Sequence, residues 1–276
     1  MSISSKQISQ LKAILTLSVL SICVLGCQTV PLEQRPGTDE PLQVFLIGDS
    51  TVATFPPERH PLKGWGQMLP EFFEPDRVEI VNMARSGRSS KSYYDEGAWE
   101  SVHVQLDKGD YVFIQFGHND EKKSDPARYT APYIDYQRQL LRYVQETRAR
   151  GAVPVLVTPL CRNIWESGAH LKTTHGEYPN AMRALAKEAH VPLLDLHAMT
   201  RKRFEELGPQ KTHKLFMNLE KGVYPAYPEG KTDNTHLNTQ GAQEICRLLV
   251  AGLEDLGVGL GSYLMKNQQP CVHEQL

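Results

Sequence analysis

The chain has 276 residues, enough for one large domain, and its 40% apolar and 22% charged residues are ordinary for a globular fold. Those values exclude an intrinsically disordered chain. A formal charge of −2 gives no reason to expect nucleic acid as a partner.

Lys6 and Lys12 precede an apolar run from Ala13 to Leu25, followed by Gly26-Cys27. A basic start and a short apolar core read as a secretory signal over residues 1–26, too short for a stable membrane span. Val24-Leu25-Gly26-Cys27 resembles a bacterial lipobox, which makes Cys27 the expected lipidation site. Residues 27–40 are polar, with Pro31, Pro36 and Gly37, and read as a flexible tether. The expectation is an exported lipoprotein of the cell envelope, in the outer membrane or periplasm. Gln28 after the cysteine fits outer-membrane sorting. Cys161, Cys246 and Cys271 are an odd set, so at least one thiol stays unpaired within a monomer. Sequence does not choose a pair.

The domain is expected over residues 41–257. Leu42 to Ile47 is an apolar run that ends in Gly48-Asp49-Ser50. Such a run reads as a buried strand, and Gly and Asp suit the tight turn after it. A polar, Pro-rich segment reaches Pro61, and Gln67 to Phe73 is a short amphipathic helix. Val78 to Met83 is a second strand, opening into the small basic loop Ala84-Arg85-Ser86-Gly87-Arg88-Ser89-Ser90. Tyr111 to Phe116 is a third strand, ending in Gly117-His118-Asn119-Asp120.

A long periodic segment from about Ala131 to Arg150 is a helix, stopped by Gly151. Val153 to Thr158 is a fourth strand, Tyr178 to His190 a helix, and Val191 to Leu196 the fifth strand. Met199 to Leu207 is a further helix. A loop rich in Gly, Pro and Lys leads to the last helix, Thr239 to Leu256, capped by Asn238 or Thr239. The tail, residues 258–276, has weak periodicity and is expected to be loose. Strands alternating with helices mean one α/β domain on a parallel sheet covered on both faces.

In a flavodoxin-like order of 2-1-3-4-5 the first three strands are neighbours, and their carboxyl ends gather Ser50, Gly87 and Asn119 at one edge. A serine nucleophile needs a base, and the base needs an orienting group. Asp233-Asn234-Thr235-His236 supplies both, since a carboxylate three residues from an imidazole can reach its Nδ1 within one turn of chain. The Gly-x-Ser-x-Gly elbow is absent. The backbone N–H groups of Ser50 and Gly87 and the amide of Asn119 are candidate donors to an oxyanion. His170 and His175 lack metal-helix spacing, so no metal or other cofactor is expected.

Gly48-Asp49-Ser50, Gly87, Asn119 and the Asp233/His236 pair resemble the four blocks of SGNH (GDSL-type) hydrolases. The segments 82–92, 116–123, 174–179 and 233–236 resemble the rhamnogalacturonan acetylesterase branch. The resemblance runs from Val44 to about Leu253. It implies a three-layer α/β/α SGNH hydrolase fold and a metal-independent serine esterase. That enzyme removes acetyl groups from pectic polysaccharide or its oligosaccharides. By that likeness Ser50 is the nucleophile, His236 the base and Asp233 its orienter, with Ser50, Gly87 and Asn119 forming the oxyanion hole.

After Thr158-Pro159 the branch favours two arginines and an aromatic, whereas Leu160-Cys161-Arg162-Asn163-Ile164-Trp165 keeps one arginine. Arg88, His118, Arg162 and Trp165 are the candidate substrate contacts, and Lys91 and Trp65 are further possibilities. The protein is expected to act as a monomer on an acetylated polysaccharide or oligosaccharide. The alternatives are an acetyltransferase, an esterase on xylan or a cell-envelope glycan, and a non-catalytic glycan-binding lipoprotein.

Overall fold

The computed structural model describes residues 40–166 and 169–265. The apolar leader, Cys27, the tether up to residue 39 and Cys271 lie outside the described residues.

β1 (Leu42–Gly48) is the central organiser of the sheet. β2 (Val78–Asn82) and β3 (Tyr111–Gln115) pair with it in parallel, one on each side. β4 (Val153–Val157) adds to β3, and the two-residue β5 (Leu193–Leu194) adds to β4. The order is β2-β1-β3-β4-β5, as the sequence led us to expect.

Apolar side chains alternate across the sheet because successive Cβ atoms point to opposite faces. Val44 and Leu46 enter one core with Val155 and Val157, while Phe45 and Ile47 enter the other with Val112 and Ile114. Three helices cover the first face. They are α1 (Trp65–Met68), which runs on as a 3-10 turn to Phe72, and, later in the chain, the helices at 196–213 and 239–255. The second face is covered by α2 (Ser90–Asp95), α3 (Glu100–His103), α4 (Gln137–Ala149) and α5 (Tyr178–Glu188). The two remaining helices of the first face are α6 (Leu196–His213) and α7 (Thr239–Asp255). Asn238 caps α7, its side chain accepting from Gly241 N at 3.0 Å. Burial of each large apolar side chain contributes roughly 1.5–3 kcal/mol, so a strand buried on both faces anchors the site firmly.

Three local readings need correction. α2 and α3 occupy a stretch that sequence gave no helix. α2 begins with a capping box built from Ser89 and Ser92, in which serine stands where Glu or Gln is the usual signal. α6 starts at Leu196 and not Met199, because Asp195 caps it and shortens β5. It continues past Leu207 to His213 across a break at Gly208, whose φ of 74° ends regular helix before Pro209.

The chain after Gly257 is not loose through residue 265. Leu260 is fully buried, Tyr111 Oη donates to the Val258 carbonyl, and Leu264 forms a bridge with Phe73. A single 3-10 turn held by contacts distant in sequence leaves no periodic signature. Cys161 and Cys246 are both buried free thiols.

Candidate active site

β1 ends because the chain must turn sharply beneath the Ser50 hydroxyl. A Cβ at Gly48 would lie 2.7 Å from the Gln115 carbonyl oxygen on β3, so only glycine fits there. Asp49 then folds the turn on itself. Its Oδ1 accepts from Thr51 N at 2.9 Å and Thr51 Oγ1 at 2.8 Å, and its carbonyl accepts from Val52 N and Ala53 N. Asp49 is wholly buried, and that burial pushes its carboxyl pKa up.

A buried relay lies under this turn. Trp65 Nε1 donates to Gln115 Oε1 at 2.8 Å, and Gln115 Nε2 donates to Thr51 Oγ1 at 2.7 Å. Sequence reading offered Trp65 as a sugar platform. Its ring is instead fully buried and committed to Gln115, so it locks the turn from below.

His236 Nε2 stands 2.9 Å from Ser50 Oγ, and His236 Nδ1 stands 2.8 Å from Asp233 Oδ2. The other Asp233 oxygen accepts from the backbone N–H groups of Thr235 and His236, at 2.9 and 3.0 Å. Burial alone would raise the Asp233 pKa. The bonds from the His236 ring and backbone, with that from Thr235, outweigh it and hold the carboxyl well below the usual range. Lys231 Nζ adds a cation 3.0 Å from Oδ2.

Asparagines hold this segment in place. Asp233 N donates to Asn218 Oδ1 at 3.0 Å, and Asn218 Nδ2 donates to Asn234 Oδ1 at 3.0 Å. Asn163 Nδ2 donates to the same Asn234 oxygen at 2.9 Å. Trp165 Nε1 closes the network on Asn163 Oδ1 at 2.7 Å. Trp165 packs against the core and is not among the residues that line the cleft, and its indole supports the Asp233 segment through Asn163.

The other two strand ends are stitched to one another. Gly87 has φ of +79°, a conformation that side-chain-bearing residues avoid, and faces open space. Asn119 Nδ2 donates to the Arg88 carbonyl at 3.0 Å, and Asn119 Oδ1 accepts from Lys122 Nζ at 2.8 Å. Asp120 is buried behind them and accepts from Ser90 N, Ser90 Oγ and Thr130 Oγ1. The Arg88 side chain turns away to Glu96 at 2.8 Å, and Lys91 Nζ donates to the Pro126 carbonyl. The Arg88 carbonyl is the group that meets Asn119.

A cleft of about 410 Å³ opens over Ser50, and Gly87, Asn119 and His236 line it. His118 and Arg162, which the sequence offers as substrate contacts, line it too. His118 is buried with its Nδ1 2.9 Å from His175 Nε2. Burial, the facing imidazole and the nearby Arg162 charge hold His118 well below the ordinary histidine range. Arg162 pairs with Glu121 at 2.5 Å.

Sequence reading missed Arg59, Lys122 and Lys231 as lining residues. A spacing of three from Asn119 and of two from Asp233 were the available signals for the lysines. Nothing marked Arg59. Among the described residues, no group of three His, Cys, Asp or Glu side chains is placed to hold a metal ion.

Together these atoms can do acyl transfer. A neutral imidazole can take the serine proton while a fixed carboxylate stabilises the charge that forms.

Comparison with known proteins agrees with the fold and extends it. The chain is 40% identical to the rhamnogalacturonan acetylesterase RhgT of Bacillus subtilis, over 83% of this chain and 97% of that one. It is 35% identical to the probable rhamnogalacturonan acetylesterase YesY of the same organism, over 82% and 98%. The crystal structure of the YxiM protein of Bacillus subtilis superposes with a TM-score of 0.66 at 26% identity. That match covers 79% of this chain and 57% of the other. Residues 46–244 match the GDSL-like lipase/acylhydrolase family from the end of β1 into α7, and the chain belongs to that family.

Proposed function

We propose that this protein is a serine esterase that removes O-acetyl groups from rhamnogalacturonan-type pectic polysaccharide or its oligosaccharides. The observation that carries the reading is the unbroken line from Ser50 Oγ through His236 to Asp233, with hydrogen-bond distances of 2.9 and 2.8 Å.

His236 Nε2 accepts the Ser50 proton as Oγ bonds to the acetyl carbonyl carbon. The carbonyl electron pair moves onto oxygen, and that oxyanion meets donors from Ser50 N–H, Gly87 N–H and Asn119 Nδ2. Collapse breaks the bond to the sugar oxygen, which leaves with the proton held by His236. Water then repeats the sequence on acetyl-Ser50, releasing acetate and restoring the hydroxyl. Asp233 stays ionised throughout, because its hydrogen bonds stabilise the carboxylate form.

Two observations support a pectic substrate. One is the activity by which the two Bacillus subtilis relatives are named. The other is the lining itself, where Arg59, Lys122, Arg162 and Lys231 give a cationic cleft suited to a polymer carrying carboxylates. The protein would act as a monomer, exported and held to the cell envelope by lipid on Cys27, as the Val24–Cys27 motif suggests. Acetate release from acetylated rhamnogalacturonan, xylan and chitin fragments tests the substrate. The reading expects the pectic fragment to be preferred by kcat/KM. Preference for xylan or chitin overturns the substrate class, and acetyl passed to an added sugar acceptor identifies a transferase.

A further inference from the structure

The amide of Asn119 is gripped at both ends. Its Nδ2 donates to the Arg88 carbonyl and its Oδ1 accepts from Lys122 Nζ, at 3.0 and 2.8 Å. A primary amide has two N–H bonds, so one is left after the Arg88 contact. Asn119 is nearly fully buried and lines the cleft beside Ser50 and Gly87. The orientation is fixed by chemistry. If the amide flipped, its NH2 would face an ammonium and its oxygen would face a carbonyl, and both contacts would be repulsive.

We infer that Lys122 is a positioning residue that fixes and polarises the Asn119 amide as an oxyanion donor. The inference rests on the esterase reading above. An ammonium bonded to an amide oxygen draws electron density from the nitrogen, and the remaining N–H becomes a stronger donor. The effect matters most when negative charge develops on the carbonyl oxygen, so it acts on the transition state and not on the bound ester. Partial desolvation, with the nearby Arg128 and Arg162 charges, pulls the Lys122 pKa down against the opposing pull of Asp49 and Asp125.

The test is a double-mutant cycle on hydrolysis of a small uncharged acetate ester, so that loss of a cleft cation does not itself change substrate attraction, with thermal unfolding recorded for each variant. Lys122→Met is expected to lower kcat about tenfold with KM within about twofold, as for coupled neighbours. Lys122→Arg keeps a cation and a donor and is expected to stay within about threefold of wild type in kcat. In an Asn119→Ala background, Lys122→Met should cost less than about twofold more, because the amide it acts through is gone. A full tenfold loss in that background overturns the inference, as does a rise in KM alone, which marks a substrate contact.

Unchanged kcat in Lys122→Met overturns it as well. If Asn119→Ala costs rate while Lys122→Met is silent, only this inference fails. A silent Asn119→Ala sinks the oxyanion assignment together with it, and Ser50→Ala reports separately on the esterase reading. Lys122 is exposed, so its two variants decide the matter by kcat and KM even if Asn119→Ala does not fold.

Discussion

His236 Nε2 lies 2.9 Å from Ser50 Oγ, although 186 residues separate the two along the chain. That contact joins the end of β1 to the segment before α7, which is held in place by bridges from Phe216 to Leu237 and from Leu62 to Asn238. If Ser50 is the nucleophile, Ser50→Ala should lower kcat by at least about 10³-fold, since triad members act as a unit. Hydrolysis of a chromogenic acetate, with unfolding temperature as a control, measures it. Retention of more than a few per cent of the rate in a folded variant contradicts the assignment.

Asn119 faces the same cleft with one amide N–H to give. Asn119→Ala is expected to cost about 10²-fold in kcat, the usual loss for one oxyanion donor. Steady-state kinetics separates the cases. A change confined to KM would make Asn119 a binding residue.

Asp120 joins the loops after β2 and β3, and burial pushes its carboxyl up to about 7 against the pull of bonds from Ser90 and Thr130. A group whose folded pKa is raised holds its proton longer in the folded state. Folding therefore favours the protonated form, and stability falls as pH rises from the unfolded carboxylate range of about 4 towards 7. Asp120→Asn removes that dependence. Urea unfolding from pH 4.5 to 8 should show wild type losing stability relative to Asp120→Asn, by an amount on the order of a few kcal/mol. A constant difference across that range would mean Asp120 is ionised throughout.

Gly64 packs against the strand-end turn. A Cβ there would lie 2.3 Å from the Ala53 carbonyl oxygen, a backbone atom that cannot step aside cheaply. Gly64→Ala should destabilise the domain by about 1–3 kcal/mol through overpacking. It should also lower kcat, because Ala53 and Val52 complete the turn that carries Ser50. Chemical denaturation and kinetics on one preparation check both, and unchanged stability would show that the turn can shift.

Cys27→Ser should release the protein from membranes if the Val24–Cys27 motif directs lipidation. Membrane fractionation and metabolic labelling with a fatty acid read the outcome. Unchanged fractionation removes the anchor.

Much of this protein is legible one residue at a time. Apolar runs such as Phe45–Ile47 state their burial, Gly48-Asp49 states a turn, and Asn238 states a helix start, because each rests on local backbone and side-chain preference. The pairing of Asp233 with His236 is local as well, since three residues of chain suffice to close it. Serine in a capping box hid α2, and a tail held by contacts distant in sequence, among them Phe73 and Tyr111, hid its order, because neither leaves a periodic signal.

What the tertiary structure alone decided is which side chains share the cleft. Trp165 and Arg88 carry the chemistry of sugar binding, yet one is committed to Asn163 and the other to Glu96. Trp65 has an aromatic face but spends it in the core. Lys122 stands three residues from Asn119, and only the fold shows its Nζ meeting Asn119 Oδ1. Composition and spacing set which atoms are available. Packing sets their direction, and a hydrogen bond depends on direction to within a fraction of an ångström.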